Sequence, residues 1–252
     1  MAEHIAITGA ASGIGRATVA KLLEAGFEVT ALDRDAAALA TLEAAHPSGL
    51  ATIVCDVASE ESIESAFAAM AERGPRLNGL VLSAGVLRTG RLEDMAIGDF
   101  NDLFDVNVRG LWLCARAGMP RLKAAAANGE TARIVNLASV AGIRHKVNSG
   151  AYAATKAAVI ALTKVMAVEM AGDGVLVNAV APATVDTPMI APYVGAGSNS
   201  SYKTSGTSPV GRIAAPDDIA NVISFLLGAQ STYVTGTVIP VDGGTIAAFV
   251  PQ

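Results

Sequence analysis

Histidine and cysteine are scarce: 252 residues contain three of the first and two of the second, with one tryptophan and 4% aromatics. Cys55 and Cys114 stand far apart, without Cys-x-x-Cys or His-rich spacing. They read as reduced core residues rather than a redox pair or a zinc cage. His4, His46 and His145 are scattered, so neither a metal site nor a Ser/His/Asp triad is expected. Charge is also thin, at 16%, with 18 Lys+Arg against 23 Asp+Glu for a net charge of -5. No basic run exists, which argues against nucleic acid as a partner. Long apolar runs are missing too: residues 157–172, the richest stretch, are cut by Lys164 and Glu169, short of the ~18 clean apolar residues of a membrane span. The opening Met1-Ala2-Glu3-His4 has the character of neither a signal peptide nor an Arg-rich transit sequence. A cytoplasmic protein without a membrane partner is expected.

What is abundant is apolar content, at 52%, too much for a disordered chain. The length allows one large domain, and residues 1–252 show no compositional seam. Short apolar runs of strand length fall at 4–8, 28–32, 51–55, 79–83, 133–137, 176–180 and 238–241. Between them, residues 13–25, 35–45, 60–73, 97–127, 150–171 and 216–227 carry apolar residues at three- and four-residue steps, the helical period. This βαβ rhythm predicts an α/β fold: a doubly wound, seven-stranded parallel sheet with helices on both faces. Residues 190–211 break the rhythm with four glycines, five serines, two threonines and two prolines. A loop that long, on the carboxyl side of the sheet, reads as a substrate lid, the alternative being an inert insertion.

The first strand runs into Thr8-Gly9-Ala10-Ala11-Ser12-Gly13-Ile14-Gly15, and a helix follows at once. Glycines there permit a tight turn and leave space for a diphosphate against backbone amides and the positive helix end. Eighteen residues beyond Gly15 the second strand reaches Asp33, a position suited to accept hydrogen bonds from an adenosine ribose. A carboxylate about 5 Å from a 2'-phosphate would meet repulsion on the order of 2 to 7 kcal/mol. NAD is therefore favoured, while Arg34 and Arg16, each able to clamp a 2'-phosphate, keep NADP as the rival. Asp56 and Val57, at the end of the third strand, fall where an adenine ring would lie, unless Asp56 merely caps the helix that begins near Ser59.

A second constellation is Tyr152-Ala153-Ala154-Thr155-Lys156. A four-residue step on a helix puts the phenol and the ammonium on one face. A free tyrosine ionises near pH ~10, so activity as a base near neutrality needs about 4 kcal/mol of stabilisation of the phenolate. One cation about 4 Å away at an effective dielectric of about 20 supplies that much. Burial works in the opposite direction. The fifth strand, 133–137, runs into Ala138-Ser139, thirteen residues before Tyr152, and the Ser139 hydroxyl is placed to hold a substrate oxygen. Alone, each of these residues would pass for a surface pair or a turn residue; together they form a proton-transfer set.

In combination these motifs resemble the short-chain dehydrogenase/reductase family, and the resemblance covers essentially the whole chain. Residues 8–15 match its T-G-x-x-x-G-x-G motif, and Ser139, Tyr152 and Lys156 match its catalytic Ser, Tyr and Lys. Asn107-Val108-Arg109-Gly110 is similar to its N-V-x-G, which implies that Asn107 holds a water joining Lys156 to solvent. The likeness further implies a Rossmann fold, a grip of Lys156 on the nicotinamide ribose, and cofactor contacts from Gly9, Ser12, Gly13, Ile14, Gly15, Pro182, Val185 and Thr187. It also implies a homotetramer. Two positions depart from the family pattern. Its N-A-G appears here as Ser83-Ala84-Gly85, and its Pro-Gly as Pro182-Ala183, which takes backbone freedom from that loop.

The expected activity is NAD(H)-dependent interconversion of a secondary alcohol and a ketone, with Tyr152 as general acid/base. An NADP-dependent carbonyl reductase of the ketoacyl type and a catalytically silent nucleotide-binding regulator are the alternatives. Sugars, cyclic diols, hydroxy acids and steroids all remain open as substrates. Arg144, His145 and Lys146 either attract an acidic substrate or form a solvated basic loop.

Overall fold

The computed structural model describes residues 2–74, 76–193 and 204–247. Seven strands, β1 (His4–Thr8), β2 (Glu28–Asp33), β3 (Leu50–Val54), β4 (Gly79–Leu82), β5 (Arg133–Leu137), β6 (Leu176–Pro182) and β7 (Val238–Val241), form one sheet in the order β3-β2-β1-β4-β5-β6-β7. Every neighbouring pair is parallel. The direction of winding reverses between β1 and β4, and ligands of open α/β sheets bind beyond the carboxyl ends of strands at such a point.

Alternation along the strands feeds two cores. On one face Ala6, Leu80, Leu82, Ile134 and Ala138 join Phe67 and Met70 of α3 (Glu60–Arg73), Cys114 and Leu122 of α5 (Leu111–Ala127) and Val159 and Met166 of α6 (Gly150–Ala171). On the other, Ile5, Ile7, Val81, Val135 and Leu137 join residues of α1 (Gly13–Glu24), α2 (Ala36–Ala45) and α7 (Pro216–Leu227). The helix starts follow local chemistry. Asp35 and Ser59 cap α2 and α3 by accepting from Ala38 N and Ser62 N, and Pro216 occupies the first turn of α7 where no amide is needed. Asp56 is therefore not the cap of α3; its carboxylate accepts from Ala58 N at 3.0 Å.

Strand and helix positions follow the sequence pattern within one or two residues, with one substantive correction. The helix expected over 97–127 is divided into α4 (Ile97–Phe104), a π turn over Asp105–Gly110, and α5. Gly110 explains part of the detour, because a Cβ there would lie 2.4 Å from the Val57 carbonyl. The membrane reading also needs amendment. Among the described residues α6 is long and apolar enough, by length and composition, to cross a membrane. Here its apolar face lies on the sheet, together with a buried lysine and two buried threonines. Residues 194–203 of the expected lid, and 248–252 at the chain end, lie outside the described residues.

Candidate active site

Beyond the carboxyl ends of β1 to β6 lies an open cleft of about 280 Å³. Gly9, Ser12, Gly13, Ile14, Gly15, Asp33, Arg34, Asp56, Val57, Ser83, Ala84 and Gly85 line it, as do Ser139, Tyr152, Lys156, Pro182, Val185 and Thr187. Of the residues predicted to form the site, Asn107 alone stands behind the wall. Arg16 is exposed and outside the lining.

The glycine turn is a close-packed cradle. At Gly15 a Cβ would sit 2.0 Å from the Gly9 carbonyl oxygen, and Gly13, at φ 49°, faces the Thr187 methyl. Thr8 Oγ1 accepts from Ala84 N at 3.3 Å, stitching the turn to the segment after β4. Asp33 is fixed by the backbone: Oδ2 accepts from Ala11 N at 3.0 Å and Oδ1 from Asp35 N at 3.1 Å. A carboxylate held by two amides presents its remaining lone pairs to the cleft in one orientation.

At the other end, β5 and α6 meet. Ser139 is the N-cap of a 3-10 turn, Val140–Gly142; its hydroxyl oxygen accepts from Ala141 N at 3.1 Å and donates to the Pro182 carbonyl at 3.4 Å. Lys156 Nζ donates to the Leu137 carbonyl at 2.7 Å and lies 5.8 Å from the centroid of the Tyr152 ring. Burial, to 5% exposure, lowers the lysine from its ordinary 10.5 to about 8, because desolvation penalises the ammonium. Asn107 occupies the π turn. Its Oδ1 accepts from Val86 N at 2.8 Å, and its Nδ2 donates to Val86 O at 3.0 Å and to Thr155 Oγ1 at 3.2 Å. The widened turn lets one amide clamp the strand-to-loop exit of β4 and the helix bearing Tyr152.

The two departures from the family pattern have plain outcomes. Ser83 lines the cleft, and Ala183 also does so without a left-handed backbone, since Asn148 is the single non-glycine residue at positive φ among the described residues. Alanine therefore carries no strain at 183. The basic triplet turns elsewhere: Arg144 donates to Thr245 O, His145 Nδ1 lies 2.9 Å from Ala141 O, and Lys146 Nζ reaches Ser205 Oγ at 3.4 Å. None of the three lines the cleft. Cys55 and Cys114 are buried free thiols, both pushed up by desolvation, Cys55 to about 11. Cys55 nevertheless borders the cleft.

Several contributions come from backbone groups and supporting contacts rather than from the side-chain motifs. Leu137 acts through its carbonyl and Val86 through its whole peptide group, which side-chain patterns do not reveal. Thr155 relays Asn107 to the helix, donating to Tyr152 O at 2.8 Å. Met189, which the sequence did not mark, and Ile190, the first residue of the expected lid, also line the cleft. Gly142 lets the 3-10 turn rest on α6, since a Cβ there would be 2.6 Å from the Lys156 carbonyl carbon.

A parallel sheet with a glycine cradle, a ribose-level carboxylate and a Ser/Tyr/Lys set defines a nucleotide-dependent oxidoreductase of the Rossmann class. A family model described as enoyl-(acyl carrier protein) reductase matches residues 9–245. The chain belongs to the short-chain dehydrogenase/reductase family. It is 33% identical to a cis-4-hydroxycyclohexanecarboxylate dehydrogenase of Sinomonas cyclohexanicum, covering 98% of both chains. It is 32% identical to a 2,5-dichloro-2,5-cyclohexadiene-1,4-diol dehydrogenase of Sphingobium indicum, covering 97% of both. An uncharacterized short-chain type dehydrogenase/reductase of Sinorhizobium fredii is 36% identical over 98% of this chain, which spans only 44% of that longer protein. Among solved structures, 3-ketoacyl-(acyl-carrier-protein) reductase of Brucella melitensis with NADH superposes with a TM-score of 0.88 at 28% identity, covering 96% and 98% of the two chains. ElxO with NADP bound gives 0.89 at 27% identity, covering 98% and 100%. Family members thus bind nicotinamide cofactors and reduce or oxidise alcohol and ketone groups.

Proposed function

We propose that this chain is an NAD(H)-dependent dehydrogenase of a compact, ring-borne secondary alcohol and its ketone. The observation that carries the reading is the joint presence of Ser139, Tyr152 and Lys156 in the same cleft as the glycine cradle and Asp33. Two relatives bear the names of dehydrogenases of cyclic alcohols. The cleft that holds Tyr152 has apolar lining suited to such a ring, including Val86, Ala183, Pro188, Met189 and Ile190.

The cradle fits a dinucleotide, since it is shaped where added Cβ atoms would fill it. Gly9, Ser12, Gly13, Ile14, Gly15 and Ser83 to Gly85 would hold the diphosphate and its surroundings, Asp33 the adenosine ribose, Asp56 and Val57 the adenine. Pro182, Val185 and Thr187 would hold the nicotinamide end. The bound nicotinamide supplies the hydride chemistry. Ser139 holds the substrate oxygen, Tyr152 takes the hydroxyl proton during oxidation and returns it during reduction, and the Lys156 charge stabilises the phenolate. Asn107 braces this arrangement and would seat the water that passes the proton outward.

A second reading, an NADP-dependent reductase of the ketoacyl type, draws on Arg34 in the cleft lining and on the likeness to an NADP-bound structure. Asp33 weighs against it through charge repulsion. Initial rates with NAD and NADP on a panel of cyclic secondary alcohols, followed by NADH absorbance, test the proposal. Oxidation of cyclic alcohols with NAD at least tenfold more efficient than with NADP is expected; a preference for NADP or for acyl-carrier substrates overturns it. We also place the enzyme in the cytoplasm, consistent with two free thiols. We propose a homotetramer as well, in which exposed Trp112, Val165 and Val168 on α5 and α6 are covered. Light scattering tests that assembly.

A further inference from the structure

Two fully buried polar side chains lie between the centre of the sheet and the helix of Tyr152. Asn136, on β5 opposite Leu82 of β4 and Ala179 of β6, is 0% exposed, as is Thr163 on α6. Asn136 Nδ2 donates to Thr163 Oγ1 at 2.9 Å, and the threonine hydroxyl donates onward to Val159 O at 2.7 Å. No donor reaches Asn136 Oδ1 among the described residues. An apolar pair would fill this space without an unmet carbonyl, so packing alone does not account for the asparagine. What the pair adds is a directional tie, which the surrounding apolar contacts lack.

The place of that tie in the chain gives it a role. Asn136 immediately precedes Leu137, whose carbonyl holds Lys156 Nζ. Thr163 follows Lys156 by seven residues, so the two lie on one face of α6, about 10.5 Å apart along the axis. Adjacent residues of one strand therefore grip the same helix face two turns apart. Slippage of α6 by one residue, about 1.5 Å, would break both bonds together. At the other side Thr155 ties the helix to Asn107.

We infer that Asn136 and Thr163 are positioning residues, whose buried hydrogen bond sets α6 on β5 so that Lys156 stays on the Leu137 carbonyl beside Tyr152. The inference rests on the proposed role of Tyr152, but its effect is visible in the protein without cofactor. Replacement of Thr163 by valine keeps the shape and removes the bond. The phenolate titration of Tyr152 is read as the ultraviolet difference between each protein and its Tyr152→Phe counterpart, which cancels the other three tyrosines.

Thr163→Val is expected to move that titration up by about one pH unit, a tenfold change in proton affinity, and to lower kcat roughly tenfold with the cofactor KM little changed. Thr163→Ser, which keeps the hydroxyl, should restore both values. The double variant Asn136→Leu/Thr163→Val removes every orphan polar atom of the pair and should fold at least as stably as wild type, yet keep the shifted titration. A wild-type titration and kcat in the folded double variant overturn the inference, as does equal impairment in the serine and valine variants. If wild type itself turns over no cyclic alcohol, the functional proposal fails while the titration still decides the positioning role.

Discussion

The ammonium of Lys156 is held on the carbonyl of Leu137 at 2.7 Å, on the strand that ends beside Ser139. One backbone oxygen thus locates the charge that the proposed chemistry requires, and the helix geometry carries Tyr152 with it, four residues earlier. The cost of that arrangement and its purpose can be separated by substitution.

Lys156→Met should give a protein that is more stable near neutral pH and inactive. In the fold the lysine titrates at about 8 rather than 10.5. The unfolded chain therefore holds a proton that the native state releases across that window, and native stability rises with pH from about 8 to 10.5. Below the window the fold bears the full cost of the buried charge, on the order of 3 kcal/mol. Chemical denaturation at pH 7 and again at pH 10.5 checks this: the methionine variant should gain at the lower pH and lose most of its advantage at the higher.

Tyr152→Phe removes the proton-transfer group and leaves the cradle intact. A loss of about 10² to 10⁴ in kcat is expected, with nicotinamide binding by fluorescence titration within a few-fold of wild type. Unchanged turnover would falsify the assignment of Tyr152 as the proton-transfer group.

Asp33→Ala should act on both specificity and the turn. It removes the carboxylate that accepts from Ala11 N and Asp35 N, costing about 1 to 3 kcal/mol of stability where those amides stay unsatisfied. It also removes the repulsion that disfavours a 2'-phosphate. The ratio of kcat/KM for NAD over NADP should fall at least tenfold, and a ratio that stays put would place the discrimination elsewhere.

Gly142→Ala tests how tightly the end of β5 rests on α6. The added methyl would meet the Lys156 carbonyl carbon at 2.6 Å and Ala157 N at 2.7 Å, both backbone atoms. Separation of the 3-10 turn from the helix should cost about 1 to 3 kcal/mol and lower kcat by at least tenfold. Cofactor affinity should change little, because the cradle lies on β1 and α1. Thermal melts and single-turnover rates give the two readouts.

The boundaries of most elements were legible because their causes are local. Alternation and strand-length runs gave β1, β5 and β7 to the residue, and the glycine turn announced the start of α1. The π turn at Asp105–Gly110 was hidden, since the apolar period runs through it. Its contacts, the Val57 carbonyl against Gly110 and the Val86 peptide against Asn107, are made with residues distant in sequence. The basic triplet at 144–146 was ambiguous for a similar reason: its charges are plain, but the direction of each side chain depends on Thr245 and Ser205.

By itself the sequence determined which groups are available and at what spacing: three glycines in one turn, an acid after the second strand, a phenol and an ammonium one helical turn apart. Such facts are short-range, and backbone geometry fixes their consequences. The fold alone decided that β1 and β4 lie side by side with the cleft above them, that Lys156 hangs from Leu137, and that Asn136 reaches Thr163. Those relations arise where separate segments bury their apolar faces against one sheet, and that meeting is settled by packing of the whole chain rather than by any stretch of it.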